Sequence, residues 1–566
     1  MSNEFWKTDM NIFKKKFLIS QCAFVLLASI APTNLHAKKD QEKRSFDNQE
    51  WDMLDDREFD SFLDSGIVAK AENCENEEAL GIINILQEVG AFQILQQNIF
   101  LRTNPLNQRS LLDYPTFDPN QCCYINDWVV GGHIFYNQMT RASLTKQNTN
   151  LACYIALNQP TLLDALETSA DALKDLFPEP VNIRRILSLF NCMTVQQRRA
   201  GFMFHGMRVS DCKQPNVMFL FPFYYLERNF FLTDAQREAV EAELGKASPE
   251  EEEEFQRLHF ISDKVGFGDL RLEVDWEAPT PDFFQMRIGV MATIPTAFAI
   301  KKGLKGSAFP KPCNYPNFNF DPLFELFNNN NPTPEEKQKA LDLANCIAFG
   351  AVDRLAANFL DQSLGNGGHF GIGLFIRTDL PVHDFIQRPW TENYHWIGRV
   401  SFEYLTPAHE KRFFIQRNTP NAFNERNFKN EEEACENLEF LEQEFINRLY
   451  LLAFDTSIQP GVIFRWTGKL CYQADRVFGF QAGTDFWYQG REKFSRIFVN
   501  QKKLQNFELK KAMPSNAYQT KIHGGLSWRI KRPCRLWYIG LNLEGSFDSV
   551  GIGNDYTVSL NIEANF

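Results

Sequence analysis

At 566 residues the chain is long enough for several soluble domains or for one large barrel with long loops. A formal net charge of −12 argues against nucleic acid as a partner, and a mean hydropathy of −0.34 argues against a helical membrane protein. No Walker-type loop, Rossmann fingerprint or zinc-type Cys/His spacing occurs, so no cofactor and no metal is expected from motifs. The 53 phenylalanines suit either aromatic girdles or a large soluble core.

Lys14-Lys15-Lys16 precedes an apolar run from Phe17 to Ile30, and Leu35-His36-Ala37 ends in small-residue character before Lys38. This is the layout of a secretory signal peptide over residues 1–37, with Met10 as a possible start and cleavage after Ala37. The competing reading, a membrane anchor, is disfavoured because the run is interrupted by Ser20 and Gln21 and is short for a span. Of the twelve cysteines, Cys22 falls in this leader without a lipobox before it, which leaves eleven. An odd number in an oxidising compartment implies one unpaired thiol. The adjacent Cys122 and Cys123 do not readily bond each other. Cys313 and Cys346 are the best candidate bridge, and an unpaired loop thiol plus a buried helix thiol fits them equally well.

Residues 38–126 begin acidic (Asp55, Asp56, Glu58, Asp60, Asp64). They continue as an amphipathic helix from about Glu77 to Phe100, with Leu80, Ile83, Leu86, Val89, Phe92 and Leu95 at helical spacing. This segment is a periplasmic lead-in or a plug in a lumen, the first being the plainer reading.

From Asp127 onward the pattern changes to period two. It gives twelve expected strands: 127–139, 200–209, 217–230, 266–277, 286–296, 368–378, 393–405, 460–472, 477–488, 517–530, 536–547 and 556–566. The stretch 217–230 is apolar on both faces and holds Pro222, which a central strand tolerates poorly. The connectors alternate. Residues 210–216, 278–285, 379–392, 473–476 and 531–535 are short; 140–199, 231–265, 297–367, 406–459, 489–516 and 548–555 take the other side and are longer, the last excepted. Helices are expected in the long connectors. Thr333-Pro334-Glu335-Glu336 is a capping box opening a helix to about Leu360, and Ser248-Pro249-Glu250-Glu251 repeats the device. Asn430 to Ala453 and Pro160 to Phe177 read as two more. Their apolar faces need partners, so these loops are expected to pack on each other or over a mouth.

The final stretch is the cleanest. Tyr556, Val558, Leu560, Ile562, Ala564 and Phe566 alternate with Thr557, Ser559, Asn561, Glu563 and Asn565. This alternation, ending on an aromatic, resembles the closing strand of bacterial outer-membrane β-barrels. The resemblance implies that Phe566 is part of the signal read by the barrel-assembly machinery, and that the chain resides in outer-membrane lipid. With an even strand count both ends of residues 127–566 lie on the periplasmic side, in phase with the sorted connectors. The expected fold is therefore an all-β transmembrane barrel of about twelve antiparallel strands, with short periplasmic turns and long, helix-bearing extracellular loops.

Closure would turn the apolar sets to lipid and place Asp269, Arg271, Glu273, Asp275, Arg287, Arg377, Arg399, Glu403, Arg465, Lys469, Asp485, Lys521, His523, Arg529 and Glu544 in the lumen. These charges either line a hydrated channel for small polar solutes or pair across a narrow lumen and fill it. The stretch Gly266–Leu272 with Arg287–Thr296 resembles paired strands of outer-membrane channels tied to uptake of aromatic or other hydrophobic compounds. An enzyme is not expected. Outer-membrane phospholipase is a twelve-stranded barrel with a Ser–His pair, but here His523 and Ser527 both face the lumen. They also lie roughly 13 Å apart along one strand. Two functions remain: a channel for small solutes, or a surface-interaction barrel whose loops bind an external partner.

Overall fold

The computed structural model describes residues 128–143, 194–208, 215–231, 260–279, 285–301, 362–414, 452–472, 477–499, 507–532 and 535–565, with scattered residues of the intervening loops. The expected leader, the segment 38–126, the helix Pro160–Phe177, the Ser248 capping device, Cys313, Cys346 and Phe566 lie outside them.

Seventeen strands are described: β1 (Trp128–Ser143), β2 (Thr194–Arg208), β3 (Asn216–Phe231), β4 (Ile261–Phe267), β5 (Leu270–Glu277), β6 (Gln285–Ile294), β7 (Phe298–Lys301), β8 (Gly371–Pro381), β9 (Tyr394–Leu405), β10 (Ala408–Phe414), β11 (Leu452–Gln459), β12 (Ile463–Tyr472), β13 (Phe478–Gln489), β14 (Lys493–Ile497), β15 (Ala517–Arg532), β16 (Arg535–Val550) and β17 (Ile552–Asn565). Fourteen of them form one antiparallel sheet in the order β2-β1-β17-β16-β15-β13-β12-β9-β8-β6-β5-β3-β4-β7. Pairing of β2 with β3 closes the sheet into a ring. Because β4 continues β5, and β7 continues β6, the wall has twelve positions. Each expected strand occupies one of them.

The seam joins the first strand to the last. β1 pairs β17 from Val129↔Asn565 to Ser143↔Ile552. On β17, Val558 and Leu560 are 37% and 39% exposed, whereas Ser559 and Asn561 are 1% and 0%. The period-two pattern therefore becomes an outward apolar face and an inward polar one. The same sorting exposes Ile134, Phe202, Ile288, Ile372, Leu374, Ile376, Phe402, Ile522, Leu541 and Leu543 around the ring. Trp128, Trp276, Trp396, Trp528 and Trp537 ring the exterior at the short-turn end. Tyr136, Tyr404, Phe547 and Tyr556 mark the other side, an arrangement suited to the two polar–apolar interfaces of a bilayer.

Five details differ from the expectation. Residues 266–277 are not one strand, since the wall breaks at Gly268 and Asp269, and 286–296 ends at Ile294 before resuming at Phe298. The break explains how Pro222 is tolerated. Register runs Leu220↔Arg271 on one side and Phe223↔Phe267 on the other, so the residue that lacks an N–H lies opposite the interruption. Its carbonyl still accepts the Gly268 N–H at 2.8 Å. Residues 548–555 are strand rather than connector. β16 and β17 meet at Gly551, whose φ of +70° suits glycine. Leu452 and Ala453, expected at a helix end, are strand. The long connectors also carry a second sheet, β10-β11-β14. It extends β9, β12 and β13 beyond the barrel in the same lateral order, around Phe414, Phe454 and Phe507. The expected capping box is formed: Glu336 accepts the Thr333 N–H at 2.7 Å, and Thr333 Oγ accepts the Glu336 N–H at 3.3 Å.

Candidate functional site

The lumen is the one interior that a closed ring creates, and cross-strand register decides what meets there. On β5, β8 and β9, Arg399 donates to Glu273 through both terminal nitrogens, at 3.2 and 3.1 Å, and lies 3.8 Å over the Phe375 ring. Arg271 also donates to Glu273, at 2.9 Å, and approaches Glu403 at 3.7 Å. Thr293 donates to Glu403 at 2.5 Å. Arg287 pairs with Asp275 and approaches Glu277 at 3.8 Å. On the adjoining strands β12 and β13, Arg465 and Thr467 both donate to Asp485, and Lys469 donates to Gln481 at 2.8 Å. Beside the seam, Lys521 reaches Glu544 at 2.8 Å and Asp555 at 3.0 Å. Asn137 donates to Asp555 at 2.7 Å and accepts from Arg199.

The structure thus brings eleven of the fifteen charged candidates into polar contacts on the inner wall: Arg271, Glu273, Asp275, Arg287, Arg399, Glu403, Arg465, Lys469, Asp485, Lys521 and Glu544. His523 is buried on the same wall, opposite Glu544 in register. Arg377 lies between Arg287 and Arg399 in register, and Arg529 opposite Tyr538. Asp269 is elsewhere. In the wall break its carboxylate accepts the Ala297 N–H at 3.2 Å and the Asn366 N–H at 2.5 Å. One side chain thereby ties both strand interruptions to the loop before β8. Ser527 donates to the Gly479 carbonyl at 3.3 Å, away from His523 on its own strand.

Sequence reasoning missed the opposite flank. The inward faces of β1–β3 carry Phe135, Met203, Met207, Met218, Leu220, Tyr224 and Leu226, which form one buried cluster with Leu364. Their signal was legible as period two with apolar residues on both faces of 217–230. The helical residues Ala356, Ala357, Phe359 and Leu360, and Leu364 after them, are buried as well. Arg228, fully buried, donates to the Phe359 carbonyl at 3.2 Å, and Lys264 donates to the Gln362 carbonyl at 2.7 Å. The 356–366 segment is therefore bound to the inner side of β3 and β4. The connectors were expected to pack on each other or over a mouth; the contact described for this one is with the wall itself.

A polar interior ringed by an apolar exterior, in a sheet closed on itself, is the arrangement that hydrocarbon demands of a spanning β-structure. The chain is a closed twelve-stranded antiparallel β-barrel with the build of a membrane-spanning one. Among the described residues no helix is long and apolar enough to cross a membrane. No protein-family model matches the chain, and no curated protein does. Solved structures similar to it include the toluene transporter TodX of Pseudomonas putida, at 8% identity and a TM-score of 0.28, covering 84% of this chain and 97% of that one. A FadL homologue of Pseudomonas aeruginosa matches at 8% identity and a TM-score of 0.23, over 78% of this barrel and 89% of its own chain. OmpT, an outer-membrane protein of Vibrio cholerae, matches at 6% and 0.22, over 77% and 97%. At these scores the likeness bears on neither activity nor substrate.

Outside the membrane-spanning wall, His369 joins the barrel to the β10-β11-β14 sheet. Its ring contacts Glu410 at 2.8 Å and the Thr406 carbonyl at 2.7 Å. Glu410 and Glu492 both pair with Arg412, at 2.9 and 3.0 Å. Burial alone lowers the His369 pKa, but the bonds to Glu410 and Thr406 outweigh it and raise it above 6.5. Burial likewise raises Glu410, and Arg412 and His369 outweigh it, holding the carboxyl below its usual range.

Proposed function

We propose that the chain is an outer-membrane channel for small solutes, assembled in outer-membrane lipid by the barrel-assembly machinery after secretion behind a cleaved leader. The observation that carries this reading is the division of the lumen into two flanks. One flank is a paired, buried charge network on the wall strands from β5 round to β17, joined at the seam by Asn137 and Arg199, and the other is the Met-rich apolar part of the inner face of β1–β3. Charges largely paired with each other give a wall that binds no passing ion strongly. The thioether flank is soft and able to repack around a solute. The path then runs along the boundary between the flanks, and the 356–366 segment bound by Arg228, Lys264 and Asp269 is the element that must yield.

Planar-bilayer recording of refolded protein tests this. Stepwise currents are expected, rising when 356–366 is replaced by a Gly/Ser linker of equal length. Silence of both proteins at every voltage favours the second reading. In it the barrel is an anchor and the packed β10-β11-β14 sheet presents a surface to an external partner; that sheet, continuous with the wall and built on its own aromatic core, is the observation behind it.

A further inference from the structure

Near the short-turn end of the seam, three inward side chains far apart in the sequence converge. Register places His205 of β2 and Glu563 of β17 on either side of Gly131, and His133 follows on the same face of β1. His205 Nε2 lies 3.5 Å from Glu563 Oε1, and His133 Nε2 lies 3.9 Å from it. One ligand atom from each residue falls within 4.8 Å of the others, and the imidazole rings are 4.8 Å apart at an interplanar angle of 39°.

All three are buried, His133 completely. Neither ring nitrogen of His133 makes a hydrogen bond, nor does His205 Nδ1. A shielded imidazole with both nitrogens unbonded forfeits favourable contacts that water or a partner would supply. His205 and Glu563 can draw together over residue 131 because it is glycine. A Cβ there would press on His205 Cε1 and Glu563 Cγ. Two imidazoles and a carboxylate aimed at one point form a donor set for a borderline cation, whereas calcium or magnesium would ask for oxygen alone. Ligands at about 2.0–2.1 Å from a tetrahedral zinc ion stand roughly 3.3 Å apart, so the two carboxylate–imidazole contacts close by a few tenths of an ångström and the widest pair of ligand atoms, within 4.8 Å, by up to about 1.5 Å.

We propose that His133, His205 and Glu563 form a binding site for one divalent first-row transition-metal ion, best fitted by zinc, which clamps the barrel seam. The ligands come from the first, second and last strands, so the ion cross-links the junction at which the ring closes. The proposal is independent of transport. It also explains why no metal motif was readable: the ligands meet only through closure.

The test uses untagged full-length protein refolded in detergent and stripped with EDTA. Cobalt titration followed by its d–d absorption, with zinc competition, reads affinity and stoichiometry. One equivalent is expected, with zinc slowing urea unfolding of the wild-type barrel. Glu563→Gln and His205→Gln should each weaken binding on the order of 100-fold, with folding checked by the heat-sensitive gel mobility of barrels. Glu563→Gln nearly preserves shape, so it serves if a histidine variant does not fold. Sub-stoichiometric binding to the wild type, or one equivalent retained unchanged in folded Glu563→Gln, overturns the site. So does a zinc effect on unfolding that survives in either folded variant.

Discussion

Lys521 sits between Glu544 and Asp555 with 2% of its surface exposed. Its ammonium is the cation these two buried carboxylates share, so truncating it leaves uncompensated charge rather than merely losing a bond. Lys521→Met is expected to destabilise the barrel by about 3–5 kcal/mol in urea unfolding. Adding Glu544→Gln and Asp555→Asn should recover much of that loss; an equal or larger loss in the triple variant would show that packing, not charge, governs the site. His369 gives a pH prediction of definite sign. Its raised pKa means that its contribution is fully present below the unfolded value of 6.5 and is lost as pH rises through the folded value. Glu410 has a lowered pKa, so its contribution is complete above 4.5 and is lost as pH falls through the folded value. Coupling of the outer sheet to the barrel is therefore complete between pH 4.5 and 6.5 and weakens on both sides. Comparing wild type with His369→Gln in urea across this range checks it: the gap should be widest inside the window, and a gap that grows steadily toward alkaline pH would contradict the assignment. Alternation alone made the inward positions of β5, β9, β12 and β15 readable. It could not say that Arg399 meets Glu273 or that His205 meets Glu563, because such partners depend on register between strands far apart in sequence.

The wall elements were legible where one face met lipid and the other met polar side chains, as on β16 and β17. They were less legible where that contrast failed. β3 is apolar inward and outward, because its inner face packs on the 356–366 loop rather than on charged partners. The strand breaks at Gly268–Asp269 and Pro295–Ala297 left no mark in periodicity, since each is a local interruption held by tertiary bonds. Asp269 is the clearest of these ties. Asp269→Ala removes the acceptor for the Ala297 and Asn366 amides, at a cost of about 1–3 kcal/mol if they stay buried and unpaired. Faster hydrogen exchange confined to residues 295–297 and 362–366 is expected; unchanged protection at both would mean that the carboxylate does not hold them. The hairpin between β16 and β17 makes the opposite point, for there a connector was expected and the sheet continues. Gly551 reverses the chain in one residue at positive φ, so Gly551→Ala should cost about 1 kcal/mol and lower the urea midpoint. Gly551→Asn should cost less, as asparagine tolerates that backbone region better.

At the scale of the molecule, what matters is which medium each side of the ring faces. A soluble sandwich would cover the apolar side with a second sheet, and among the described residues no second sheet lies on the outer face of β15, β16, β17 or β1. Leu560 lies midway along the apolar run of β17, between the aromatic levels marked by Tyr556 and Trp537, and it faces Ile134 and Leu541 in the adjoining strands. If this face meets hydrocarbon, Leu560→Arg places a cation at the depth where it costs most, about 2–4 kcal/mol. The same substitution at Tyr556, nearer the interface, should cost about 0–1 kcal/mol. Equilibrium unfolding from lipid vesicles measures both. The depth dependence is the informative part, because burial against protein would penalise the two positions according to packing alone. Equal penalties at 560 and 556, or no penalty at 560, would mean that the outer face of this ring is not turned to a bilayer.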